Sequence, residues 1–147
     1  MAAVRHAEVA WDGDLMSGAG TIRYVSSGTI TRLPVTWASR TEAHDGRTSP
    51  EELLAAAHAS CYAMSFAGRL ARNGTPATHL EVSADVTFAK TDDGWRVVSS
   101  DLTVQGTVPG IDETKFIELA TAAKDGCPIS LALKGNVDIS VVPTLVL

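Results

Sequence analysis

The sequence contains only two cysteines, Cys61 and Cys127, no Cys-x-x-Cys, no apolar run of membrane length and no cluster of basic residues. Each shortage excludes something. Two cysteines are too few for the disulfide framework of a small secreted domain. Structural zinc normally takes four ligands in tighter pairs, so no metal and no cofactor is expected. No stretch reaches the roughly 20 apolar residues of a membrane helix, so no membrane partner is expected. The 12 Lys and Arg are scattered through a chain of net charge −5, which leaves no basic stripe for a phosphate backbone and argues against nucleic acid. Internal repeats, low-complexity tracts and linker-like shifts in composition are also missing. The N-terminal MAAVRHAEVAWDGD carries charges where a secretory signal has its apolar stretch, which predicts a cytoplasmic protein. In a reduced cytosol a disulfide is more often transient and catalytic than structural, so the chemistry of the two thiols becomes the question.

What is present is an ordinary globular composition, 45% hydrophobic and 20% charged over 147 residues, the size of one domain spanning 1–147 with one core. The pattern predicts an α+β fold of antiparallel sheets with a long central helix and a second helix. VRHAEVAW, AGTIRYVSS and ITRLPVTWAS read as three strands separated by glycine turns. HLEVSADVTFAK and WRVVSSDLTVQGTV, joined by DDG, alternate as a long antiparallel hairpin. NVDISVVPTLVL reads as one more strand, with Pro143 limiting its inner pairing.

The first helix has start and stop signals: Ser49 as cap, Pro50 in the first turn, Glu52 to complete a capping box, and Asn73-Gly74 at the end, with Arg69 and Arg72 near its negative terminus. Leu54, Ala57, Cys61, Met64 and Gly68 recur at steps of three and four, which predicts a buried seam of small residues with Cys61 at mid-helix. The second helix is expected from about Asp112, with Phe116, Leu119, Ala120 and Ala123 on one side and a left-handed cap at Gly126. Cys127 then sits at a junction, followed by Pro128 and a short helical turn.

SPEELLAAAHASCYAMSF and GCPIS, with AEVAWDGDLMSGAGTI, ASRTE and VPGID in that order, resemble the OsmC/Ohr family, the osmotically inducible and organic hydroperoxide resistance proteins. The resemblance spans nearly the whole chain. AAHASC, with His58 three residues before Cys61, is more similar to the OsmC branch. The resemblance implies an intertwined homodimer with two active sites at the subunit interface. It implies Cys61 as peroxidatic cysteine, Cys127 as resolving cysteine, Arg40 in ASRTE as the arginine and Glu51 in SPEEL as its partner, with Arg32 and Arg47 as neighbouring alternatives to Arg40. The implied reaction is reduction of organic hydroperoxides to alcohols, reset by an external dithiol of dihydrolipoyl type.

The chemistry asks for the same residue types. A thiol attacks peroxide only as thiolate, and burial raises a thiol pKa, so a cation must stand beside it. Arg40 would supply that charge while Glu51 orients its planar fork. A regular helix from Pro50 separates Glu51 from Cys61 by about 15 Å of rise, which predicts that the glutamate acts on the thiol of the partner chain. Other readings exist. Cys61 in an Ala-rich helix can be a small core residue, and Cys127 mere packing at a helix end. Arg40 and Glu51 can be an ordinary solvated arginine and a dipole-favoured glutamate. His58 and Cys61, one turn apart, allow a metal pair with Cys127 or a Cys–His hydrolase or acyltransferase. A non-catalytic module enclosing an apolar ligand is the remaining alternative.

Overall fold

The computed structural model describes residues 1–146, and the chain divides into two compact units, Met1–Leu53 and Leu54–Leu147. The first unit holds β1 (Ala7–Asp12), β2 (Ala19–Val25) and β3 (Leu33–Val35) in one antiparallel sheet of order β1-β2-β3. β3 is shorter than the alternation in ITRLPVTWAS predicts. Thr36 and Ser39 form a reciprocal capping box and start helix α1 (Trp37–Thr41), which turns the end of the expected strand into helix. Arg40 therefore lies on a helical turn. The following loop is tied down by Thr48, whose N–H donates to the Pro34 carbonyl at 3.0 Å and whose carbonyl accepts from Ser39 Oγ at 2.9 Å.

The long helix α2 (Pro50–Arg72) begins where its signals place it. Ser49 Oγ accepts from the Glu52 N–H at 3.1 Å, while the Glu52 carboxylate accepts from the Thr48 hydroxyl instead of closing the box on Ser49. At the other end Gly74 is left-handed at φ 82° and the Thr75 N–H returns to the Leu70 carbonyl, the expected glycine stop.

In the second unit, β4 (His79–Thr91) and β5 (Gly94–Thr107) form the predicted hairpin, and β6 (Asp138–Leu145) flanks β5 in the order β4-β5-β6. The β5–β6 pair is parallel, which corrects the expectation of antiparallel sheets throughout. The reason is the connection, since two helices, α3 (Glu113–Gly126) and α4 (Pro128–Leu133), carry the chain back before β6 begins. Leu147, the last residue of the segment read as this strand, lies outside the described residues.

α3 starts where Asp112 accepts from the Lys115 N–H at 2.8 Å, and it buries Phe116, Ala120 and Ala123 as its periodicity predicts. Phe116 lies so close to β5 that a Cβ on Gly106 would stand 2.8 Å from its ring, so only glycine fits there. The core-facing stripe of α2 in this unit is His58, Tyr62, Phe66 and Leu70, spaced four residues apart and fully buried. Phe66 meets Phe116 edge to face with centroids 5.2 Å apart. Within one chain this stripe, and not the predicted seam of small residues, makes the core. Cys61 is only half-buried on the flank of the core, and Ala57 and Met64 are exposed.

Candidate functional site

Arg40 and Glu51 belong to the first unit and form a two-point ion pair. Arg40 Nε donates to Glu51 Oε2 at 3.2 Å and Nη2 donates to Oε1 at 2.6 Å. Charge-assisted bonds on both carboxylate oxygens fix the plane of the guanidinium as well as its position. Glu51 is nearly buried, and Arg40 also lies over the Trp37 ring, 5.6 Å from its centroid. Local structure produces this meeting. The capping box places Arg40 on the last turn of α1, and the Thr48 tether brings the first turn of α2 beside it. Of the alternative arginines, Arg47 pairs with Asp45 at the surface at 2.9 Å, and Arg32 is exposed. An apolar pocket of about 450 Å³ in the same unit is lined by Val9, Ile22, Val25, Val35, Pro50 and Leu53, so two of its walls flank Glu51 in sequence.

Cys61 and Cys127 belong to the second unit. Both are free thiols, and Cys61 packs against the core cluster that contains Cys127. Burial pushes the Cys61 thiol pKa up, neighbouring Cys127 pushes the same way, and the nearby Ile129 backbone N–H pulls it down. Cys127 is fully buried between α3 and α4, with φ −63° and ψ 129°. The expected left-handed cap at Gly126 does not form. Gly126 is helical and exposed, and a Cβ there would meet only the flexible guanidinium end of Arg69.

His58 is fully buried one turn before Cys61 and does not address its sulfur. Its Nδ1 lies 2.6 Å from Ser100 Oγ and its Nε2 2.8 Å from Ser130 Oγ. With both ring nitrogens held by serines, the Cys61–His58 hydrolase pair is corrected. Burial lowers the His58 pKa and favours the neutral ring, so one serine donates to it while the other accepts. Tyr62, next to Cys61, donates its hydroxyl to the Ala120 carbonyl at 3.1 Å, and burial raises its pKa. Ser100 and Ser130 carried no signal in sequence, because single serines in a strand and a short helix look like any others. Among the described residues, no group of three or more His, Cys, Asp or Glu is arranged to hold a metal ion, and no helix is long and apolar enough to cross a membrane.

With this geometry in place, comparison with known proteins is specific. Residues 43–142 match the family described as OsmC-like protein. The chain is 37% identical to peroxiredoxin OsmC of Escherichia coli (strain K12) over 127 residues, covering 86% of this chain and 87% of that one. It is 29% identical over 110 residues to an organic hydroperoxide resistance protein-like sequence of Staphylococcus aureus (strain MSSA476), covering 73% and 76%. The higher identity to the former agrees with the OsmC-branch reading. The crystal structure of the organic hydroperoxide resistance protein OhrB of Bacillus subtilis superposes with a TM-score of 0.73 at 25% identity, covering 95% of this chain and 98% of that one. An OsmC-like protein from Vibrio cholerae superposes at 0.75 with 16% identity over 97% and 100%, a likeness of fold alone.

Proposed function

The chain belongs to the OsmC-like family, and from that membership we propose that it is a cysteine-based peroxidase that reduces organic hydroperoxides to alcohols. The observation that carries the reading is the proximity of Cys61 and Cys127, two free thiols from distant parts of one chain that meet at the same core, with Cys127 close enough to raise the Cys61 pKa. Cys61, the less buried of the two, is the nucleophile. Cys127, fully buried behind it, is the resolving thiol.

In the first step the Cys61 thiolate attacks the terminal peroxide oxygen. An S–O bond forms, the O–O bond breaks, and the alkoxide leaves and is protonated to the alcohol. Cys61 is then a sulfenic acid. In the second step Cys127 attacks its sulfur, the S–O bond breaks, and hydroxide leaves with the Cys127 proton as water. The Cys61–Cys127 disulfide is the product. An external dithiol, of the dihydrolipoyl class, restores both thiols by exchange.

Burial and Cys127 both oppose the thiolate, so a cation is needed, and the Arg40 fork held by Glu51 has the form to stabilise both thiolate and alkoxide. α2 is unbroken from Pro50 to Arg72, and about 15 Å of helix rise separates Glu51 from Cys61. The Arg40–Glu51 pair therefore acts on Cys61 of a second copy, in a homodimer with two composite sites. The apolar pocket flanking Glu51 favours alkyl over hydrogen peroxide.

The same pocket supports a second reading, a non-catalytic module for an apolar ligand. One experiment separates the two. Reduced protein is mixed with cumene hydroperoxide while free thiols and cumyl alcohol are followed. Loss of two thiols per chain with one alcohol released is expected; ligand binding without thiol loss would establish the module.

A further inference from the structure

The proposed chemistry makes no use of His58, Ser100 or Ser130, yet these three form a fully satisfied network in the interior, with His58 and Ser100 at 0% exposure and Ser130 at 4%. Polar side chains are desolvated there only at a cost, and the bonds of 2.6 and 2.8 Å offset it by joining three separate elements, α2, β5 and α4. Position along the chain shows what is being joined. On α2, His58 is one turn before Cys61. On α4, Ser130 is one turn after Cys127, which caps that helix but makes no side-chain capping bond. Between Cys127 and Ser130 lies Ile129, which packs against the same core cluster as Cys61 and whose backbone N–H favours the Cys61 thiolate. α4 is only six residues long and is separated from α3 by the extended Cys127, so intrahelical bonds by themselves do not fix its direction.

We infer that His58 is a positioning residue for the resolution step: through Ser130 it clamps the Cys127-bearing turn of α4 against Cys61. The inference rests on the thiol-peroxidase reading for its catalytic meaning. With the clamp in place, Cys127 attacks the Cys61 sulfenic acid, the S–S bond forms, and water leaves. Without it, α4 pivots at Cys127 and the sulfenic acid lives longer. A second hydroperoxide molecule then transfers one oxygen to it, giving sulfinic acid and a second alcohol. The clamp thus decides between turnover and irreversible oxidation.

Ser130→Ala removes only the bond to α4, whereas Ser100→Ala removes the sheet-side bond and leaves the clamp. Each full-length variant is mixed rapidly with cumene hydroperoxide, and alcohol release is timed against loss of dimedone-trappable sulfenic acid. In Ser130→Ala, sulfenic acid loss should slow about tenfold relative to alcohol release, the worth of one net hydrogen bond. Sulfinic Cys61, detected by mass spectrometry, should accumulate under excess peroxide. Ser100→Ala should lose stability but keep the ratio of the two rates. Unchanged sulfenic acid lifetime in Ser130→Ala, or equal slowing in Ser100→Ala, would overturn the inference. A second measurement needs no peroxide: in glutathione redox buffer, the equilibrium constant for Cys61–Cys127 disulfide formation should fall about tenfold in Ser130→Ala and hold in Ser100→Ala. If the unaltered protein releases no alcohol, the peroxidase reading fails and this equilibrium alone decides whether the clamp exists.

Discussion

Arg40 grips both carboxylate oxygens of Glu51, from Nε at 3.2 Å and from Nη2 at 2.6 Å, so the plane of its guanidinium is set by a residue of α2. A lysine at this position keeps a charge and loses the plane. For Arg40→Lys, kcat/KM for cumene hydroperoxide should fall on the order of tenfold to a hundredfold, more than any loss of thiolate measured by iodoacetamide alkylation of Cys61. Full activity in Arg40→Met would show that another arginine is the cation.

If that pair serves the partner's thiol, mixing two inactive chains restores activity. Heterodimers of Cys61→Ser with Glu51→Ala contain one site with an intact thiol and an intact pair, so about half of the activity per dimer should return. Confirmed heterodimers with no recovery would rule out composite sites.

The two cysteines have unequal roles. Cys61→Ser should abolish turnover, while Cys127→Ser should consume one equivalent of peroxide and stop as a trappable sulfenic acid. Because neighbouring Cys127 raises the Cys61 pKa and a serine carries no ionisable thiol, Cys127→Ser should also move the pH profile of Cys61 alkylation toward lower pH. Equal peroxide consumption by Cys61→Ser would reverse the assignment.

His58 makes folding pH-dependent. Its pKa is lower folded than unfolded, so between the two values the unfolded chain binds more protons and stability rises with pH. The contribution is complete above the ordinary histidine value of about 6.5 and is lost as pH falls through the folded one. Urea midpoints should drop on acidification below that value, and a His58→Gln variant should show a flatter dependence. Parallel curves would mean that another group dominates.

Gly126→Ala should change stability by less than about 1 kcal/mol in urea unfolding, because Gly126 is helical and exposed, alanine suits a helix better than glycine, and the added Cβ meets only the flexible end of Arg69, which can turn away. A loss of about 2 kcal/mol or more would show that the Arg69 guanidinium is fixed in place.

The limits of pattern reading are clear at particular residues. Both strands of the long hairpin are legible from alternation, and α2 from its cap, its proline and its terminal glycine, since those signals act over a few residues. The short helix α1 was hidden inside a segment that alternates like a strand, because the Thr36–Ser39 box that starts it uses Ser in place of the usual Glu or Gln. The face of α2 that packs inside the chain lies one position on from the stripe of small residues. A stripe of alanines is consistent with either face of the helix, and the choice falls to Tyr62, Phe66 and Leu70, which bury far more apolar surface.

The amino-acid sequence by itself determined the α+β class, the long helix, the family likeness and the four residues Cys61, Cys127, Arg40 and Glu51 as chemical types at motif positions. Only tertiary structure decided what those types meet. Glu51 takes Arg40 in a two-point grip, Cys61 comes beside Cys127, and His58 turns to Ser100 and Ser130 instead of the neighbouring thiol. The physical reason is range. Caps, turns and periodicity act within a few residues and leave a local imprint, whereas a contact between residue 58 and residue 130 is set by how α2, β5 and α4 pack, and packing has no signature at either position alone.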